Sequence, residues 1–200
     1  YICNPNNPTG LILDPNDLRA FIGTVSPRAT VVVDEAYIEL TDDPQGSSVV
    51  DQVKAGMNVL VSRTFSKIYG MAGLRIGYGL GRPDVIRRLE QRRISIPNLL
   101  GLRAALASYN DEVFLDHSRN MIRTGIGRTY SVLEELGLRY LPTQANFVLF
   151  NVEKSAKDFS REMKARNIFV APRTDHLDTW VRLSIGRSEH MDLFAEAIQD

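Results

Sequence analysis

Two hundred residues, 44% hydrophobic and 24% charged, fit one large globular domain or two small ones. Lysine plus arginine and aspartate plus glutamate each number 24, so net charge gives no reason to expect a nucleic-acid or membrane partner. Cys3 stands alone, which excludes an intrachain disulfide and predicts a reducing, cytoplasmic setting, and no apolar run reaches the ~18 residues of a membrane span.

In chain order, Tyr1-Ile2-Cys3 reads as the end of a buried strand with no initiator methionine, and is expected to follow an N-terminal portion that these residues lack. Asn4-Pro5-Asn6-Asn7-Pro8-Thr9-Gly10 comes next. Its two Asn-Pro pairs and closing glycine disfavour helix and strand and predict a rigid turn, either structural or of the kind that holds ligands at strand ends. Residues 15–22 read as a helix, capped by Asp14 with Pro15 in its first turn and Leu18, Phe21 and Ile22 on one face. Residues 30–33 are four β-branched positions in a row, the texture of a parallel strand buried on both faces. A carboxylate directly after such a strand is costly without a cation, so Asp34 is an ion-pair or capping residue or a ligand to a cationic cofactor atom. Tyr37 follows close enough to bring a phenol to the same end of the sheet. Residues 42–48 are turn-rich, and 49–54 read as a short helix.

The apolar run 58–61 leads like a short strand into Ser62-Arg63-Thr64-Phe65-Ser66-Lys67-Ile68-Tyr69-Gly70-Met71-Ala72-Gly73-Leu74-Arg75, and 76–80 leads out like another. A single lysine among hydroxyls and glycines suits an amine that forms a Schiff base, with Thr64, Ser66 and Arg75 around a phosphate. The alternative is a solvated surface lysine. Gly77, Gly79 and Gly81 form a G-x-G-x-G that no helix N-terminus of dinucleotide type follows directly, which makes a weak nucleotide motif. Helices are predicted over 83–93, 99–108 and, as one long element, 111–136; the arginines at 87, 88, 92 and 93 read as a solvated face. The texture then becomes α+β: strand 146–150, helix 155–166, strands 168–171 and 179–185, helix 188–198. Arg182 lies inside the last of these strands, either as a snorkelling edge residue or as a two-pronged ligand for a carboxylate. Asn146 at a strand start reads as a cap, and the histidines at 117, 176 and 190 show no metal spacing.

Asn7-Pro8-Thr9-Gly10, Val33-Asp34-Glu35-Ala36-Tyr37, Ser66-Lys67, Gly73-Leu74-Arg75 and Val181-Arg182-Leu183-Ser184-Ile185-Gly186 occur in this order along essentially the whole chain. The set resembles the fold-type I (class I/II) pyridoxal-phosphate aminotransferases. The doubled Asn-Pro and the Phe65–Tyr78 run are most similar to the histidinol-phosphate aminotransferases and their relatives. The resemblance implies an α/β fold: residues 1–110 as the C-terminal half of a mainly parallel-sheet cofactor domain, and 111–200 as a small α+β domain, the long helix spanning the join. It implies that Lys67 is catalytic and carries the cofactor pyridoxal 5'-phosphate, that Asp34 faces its ring nitrogen, and that Asn7 and Tyr37 bond its ring oxygen. Thr64, Ser66 and Arg75 are implied to hold its phosphate, and Arg182 a substrate carboxylate, with no metal. The implied reaction is transamination of histidinol phosphate with 2-oxoglutarate and glutamate, in histidine biosynthesis, by a homodimer that takes small amino and keto substrates. An aromatic amino-acid aminotransferase or a phospho-amino-acid decarboxylase of the same fold is the alternative, and a non-catalytic regulatory domain binding the same cofactor is the alternative of a different class. Ser95-Ile96-Pro97-Asn98-Leu99-Leu100 departs from the asparagine- and serine-rich loop of close relatives, and it bears on the substrate rather than the cofactor.

Overall fold

The computed structural model describes residues 1–172 and 176–199; the expected 111–200 segment also includes positions 173–175 and 200, which lie outside the described residues. The chain divides into two compact units, one of residues 1–7 with 12–116 and one of residues 8–11 with 117–200.

In the first unit, β1 (Ile2–Cys3), β2 (Val31–Asp34), β3 (Val59–Thr64) and β4 (Gly77–Gly81) form a sheet in that order. The β1–β2 and β2–β3 pairings are parallel and β3–β4 is antiparallel, so the sheet is mixed but mainly parallel. Val31 and Val33 of β2 and Val59 and Val61 of β3 are buried against Leu18 and Ile22 of α1 (Pro15–Val25). Val32 is only half-buried, so β2 presents one wholly buried face rather than the expected two. Asp14 caps α1 as expected, its carboxylate accepting the N–H groups of Asn16 and Asp17. Phe21, however, is 48% exposed. The core stripe runs through Leu18, Ile22 and Val25, which leaves Phe21 on its flank.

The predicted turn at 42–48 contains a single helical turn, α2 (Pro44–Ser47), before α3 (Val50–Lys54). Arg19 of α1 ties this region down, with Nε on Asp51 at 2.9 Å and Nη2 on the Gly46 and Ser48 carbonyls, each at 2.9 Å. Helix α4 (Pro83–Glu90) stops before Arg92 and Arg93, while α5 covers Leu99–Ser108 as expected, with Asn98 as its side-chain cap.

The second unit is an antiparallel sheet of β5 (Tyr140–Leu141), β6 (Phe147–Asn151), β7 (Ala171–Pro172) and β8 (Trp180–Ser184), ordered β5-β6-β8-β7. It packs against α6 (Glu112–Glu135), α7 (Ala156–Ala165) and α8 (Ser188–Gln199) through Leu133, Phe150, Met163, Val181 and Phe194. Gly125 inside α6 has a packing reason, since a Cβ there would stand 2.5 Å from Ile185 Cγ2. Gly10 closes the Asn-Pro loop at φ +74°, and a Cβ would stand 2.1 Å from Thr143 Oγ1. Its carbonyl accepts the Gln144 N–H at 2.8 Å.

Two expectations fail here. The strand predicted over 168–171 shrinks to β7, because the Ile168 N–H closes α7 on the Met163 carbonyl and the Val170 carbonyl accepts Ser160 Oγ. Arg182 is not an edge residue, since β8 pairs with β6 on one side and β7 on the other. Among the described residues no helix is long and apolar enough to cross a membrane.

Candidate active site

β2 and β3 run the same way with Asp34 level with Ser62, so the residues that close both strands gather at the C-terminal edge of a parallel pair. Ligands bind at this edge in α/β sheets. Asp34 is half-buried there. Its Oδ1 accepts the Ala36 N–H at 3.1 Å, and its Oδ2 accepts the Tyr1 hydroxyl at 2.5 Å. That hydrogen bond, followed by burial and the charge of Asp34, raises the Tyr1 pKa well above the usual tyrosine value. Burial also raises the Cys3 thiol, against the Asn7 backbone amide and with help from the Asp34 charge.

Tyr37 is buried just ahead of the 3-10 turn Ile38–Leu40. Lys67 Nζ stands 5.0 Å from the centre of its ring, within cation–π reach. The lysine rides on a tight turn: the Gly70 N–H donates to its carbonyl and the Met71 N–H to that of Phe65, both at 2.9 Å. Phe65, Ile68 and Tyr69 are buried and anchor the turn, while Ser66 and Lys67 stay half-buried. Thr64 Oγ1 accepts the Ser66 N–H at 3.1 Å and lies 2.9 Å from Ser66 Oγ, so the two hydroxyls form a pair.

Arg75 takes a left-handed conformation, φ 56°, at the end of the 3-10 turn Ala72–Leu74, where its Nη1 donates to the Ala72 carbonyl. Of the two asparagines ahead of the prolines, the buried one is Asn4, at 1% exposure. Its N–H extends the β1–β2 ladder to the Asp34 carbonyl, and its Oδ1 accepts the Leu13 N–H. Asn7 is exposed. Asp34 and Thr64 therefore close adjacent strands of one unit, with Tyr37, Ser66 and Lys67 in the segments that follow them, and the same unit contains Asn7 and Arg75. Arg182 belongs to the second unit, its guanidinium 5.0 Å from the centre of the Phe147 ring.

Residues 1–198 match the family model described as aminotransferase class I and II. The chain belongs to that family. This class I and II aminotransferase chain is 38% identical to a histidinol-phosphate aminotransferase of Moorella thermoacetica and 39% identical to one of Symbiobacterium thermophilum. Both alignments cover 100% of the chain, and 53% and 55% of those proteins, so the chain spans about half the length of the curated relatives it matches. The crystal structure of a histidinol-phosphate aminotransferase from Sinorhizobium meliloti, in complex with pyridoxal-5'-phosphate, superposes with a TM-score of 0.89 at 30% identity. It covers 100% of this aminotransferase chain and 56% of its own.

The sequence reading assigned no role to four side chains around this edge: Tyr1, Glu35, Ser48 and Arg63. Strand alternation contains the signal for Tyr1, which shares a face with Cys3, the partner of Asp34 in the ladder. The apolar run predicts a strand ending at 61, whereas β3 continues to Thr64 and so includes Arg63.

Proposed function

We propose that the whole protein carrying this sequence is a cytoplasmic, homodimeric pyridoxal-phosphate aminotransferase that transaminates histidinol phosphate, with 2-oxoglutarate and glutamate as the second pair. The observation that carries this reading is a primary amine, Lys67 Nζ, held over the Tyr37 ring on the turn after β3 while the Asp34 carboxylate closes the neighbouring strand. The names of the relatives support the choice of substrate. On this reading the first unit is part of the cofactor domain and the second is the small domain.

The donor set fits the cofactor: an amine for its aldehyde, a carboxylate for its ring nitrogen, and paired hydroxyls with an arginine for its phosphate. Bound there, the cofactor supplies a carbonyl carbon that amines join and a ring that takes up the electron pair released at the substrate Cα. Lys67 holds the cofactor through Nζ at rest. The same Nζ, when free, would serve as the base that moves the proton at the substrate Cα. Asp34 keeps a proton on the ring nitrogen, and its own place is held by the Ala36 N–H and the Tyr1 hydroxyl. Tyr37 and Asn7 bond the ring oxygen, and Thr64, Ser66 and Arg75 bind the phosphate, Arg75 as the charged partner. Arg182 holds a substrate anion by a two-pronged pair: a carboxylate in amino and keto acids, and the phosphate in histidinol phosphate.

The test is borohydride reduction of the whole protein loaded with pyridoxal phosphate, followed by mass spectrometry of its digest. A tag on Lys67 is expected, with histidinol phosphate then converting the cofactor in a single half-reaction. A folded protein that gains no tag on Lys67 would point instead to a non-catalytic relative. A tagged enzyme that turns over only aromatic amino acids or releases carbon dioxide would replace the substrate assignment.

A further inference from the structure

At the end of β2, Asp34 and Glu35 send consecutive carboxylates to opposite faces of the sheet. Asp34 faces the candidate site; Glu35 is 1% exposed on the other side. A fully buried carboxylate is costly unless every lone pair is served, and this one is well served. Oε1 accepts the Val49 N–H at 2.8 Å, and Oε2 accepts Arg63 Nε at 2.9 Å and Nη2 at 2.8 Å. Ser48 Oγ lies 3.1 and 3.0 Å from the two oxygens, and itself accepts Arg63 Nη2 at 2.9 Å. Burial alone would lower the Arg63 pKa, and the adjacent Glu35 charge raises it instead.

The backbone of Glu35 is held as firmly as its side chain. Its N–H donates to the Ser62 carbonyl at 2.9 Å, carrying the β2–β3 ladder one residue past Asp34. Its carbonyl accepts the Ile38 N–H at 3.1 Å, opening the turn that follows Tyr37. Arg63 lies on β3 directly before Thr64 and four positions ahead of Lys67. One residue thus joins the two strand ends from which Asp34, Tyr37, Thr64 and Lys67 project.

We propose that Glu35 is a positioning residue: locked to Arg63 and Ser48, it sets the mutual placement of Asp34, Tyr37 and Lys67 that the cofactor requires. This rests on the cofactor reading above. Removing one partner of a buried pair leaves an uncompensated charge, whereas removing both for neutral groups of similar size can restore stability. No neutral pair reproduces the directional fork of arginine on carboxylate. Stability and placement can therefore be separated by experiment.

The experiment uses the whole protein, wild type, Glu35→Gln, Glu35→Gln with Arg63→Met, and Arg63→Lys. For each, the urea midpoint of the cofactor-free form, the dissociation constant for pyridoxal phosphate and the induced circular dichroism per bound cofactor are measured. Glu35→Gln is expected to lose both stability and cofactor affinity. The double variant regains most of the urea midpoint but still binds the cofactor roughly tenfold or more weakly, with altered induced dichroism. Arg63→Lys, which keeps the charge and loses the fork, is expected to fold and to show the same weakened affinity and altered band. A double variant that regains affinity and band together with stability would overturn the proposal, as would wild-type affinity and band in Arg63→Lys. A folded wild type that binds no pyridoxal phosphate would instead sink the cofactor reading, and this proposal with it.

Discussion

Lys67 is half-buried where the other four lysines are exposed, and its support is apolar. Buried Phe65, Ile68 and Tyr69 pin the turn on which it rides, and the Tyr37 ring lies under its amine. Lys67→Ala in the whole protein is expected to lower the rate of proton transfer at Cα by about 10²–10⁴-fold or more, measured as the single half-reaction with histidinol phosphate. Cofactor binding should persist weakly through the hydroxyls and Arg75, so loss of rate must exceed loss of occupancy; an unchanged rate would remove Lys67 from the mechanism. Tyr69, two residues on, gives a pH signature. Burial first, then the charge of Glu39, pushes its pKa from 10.0 to about 12. The folded state favours the protonated phenol, so its contribution to stability is complete below pH 10. It is lost as the pH rises toward 12, because the unfolded chain releases a proton that the folded chain retains. Urea unfolding across that window should show stability falling with pH, and Tyr69→Phe should flatten the slope.

At the scale of the element, the starts of helices are the most predictable features. Asp14 accepts the N–H groups of Asn16 at 2.8 Å and Asp17 at 3.1 Å, and Pro15 pre-sets the first turn of α1. Asp14→Ala is expected to cost about 1 kcal/mol, read as a lower urea midpoint with an unchanged slope. The ends of elements were harder to foresee. Helix α7 consumes the N–H of Ile168 in its own closure, so a run of apolar residues that reads as a strand pairs only at Ala171 and Pro172. Phe21 illustrates a similar limit: three apolar residues share a helical face in projection, but Val25 completes the buried stripe in its place. Two-residue β5 had no periodic signal to read, since a pairing that short is defined by its partner strand.

At the scale of the molecule, each unit has a core of its own, one around Val31, Val33, Val59 and Val61 and the other around Leu133, Phe150, Met163 and Phe194. Phe150 is fully buried and meets Phe159 and Phe194 edge-on, with ring centres 6.2 and 6.1 Å apart. Phe150→Ala is expected to cost about 3–5 kcal/mol, seen in urea unfolding and in faster amide exchange along β6 and β8. A cost below 1 kcal/mol would mean that the core closes over the lost ring.

The sequence by itself determined the order of most elements and the cap of α1, and it marked Asp34, Tyr37, Ser66 and Lys67 as candidates. Those signals are local: β-branched runs, Asn-Pro pairs and a carboxylate directly after a buried strand each constrain their own stretch of backbone. Only the tertiary structure decided that Asn4 rather than Asn7 is the buried asparagine and that Arg182 sits in a central strand. It alone decided that Tyr1 reaches Asp34, and that Glu35 is neutralised by an arginine 28 residues away. Burial and pairing between distant segments depend on which strands become neighbours, and no local pattern contains that choice.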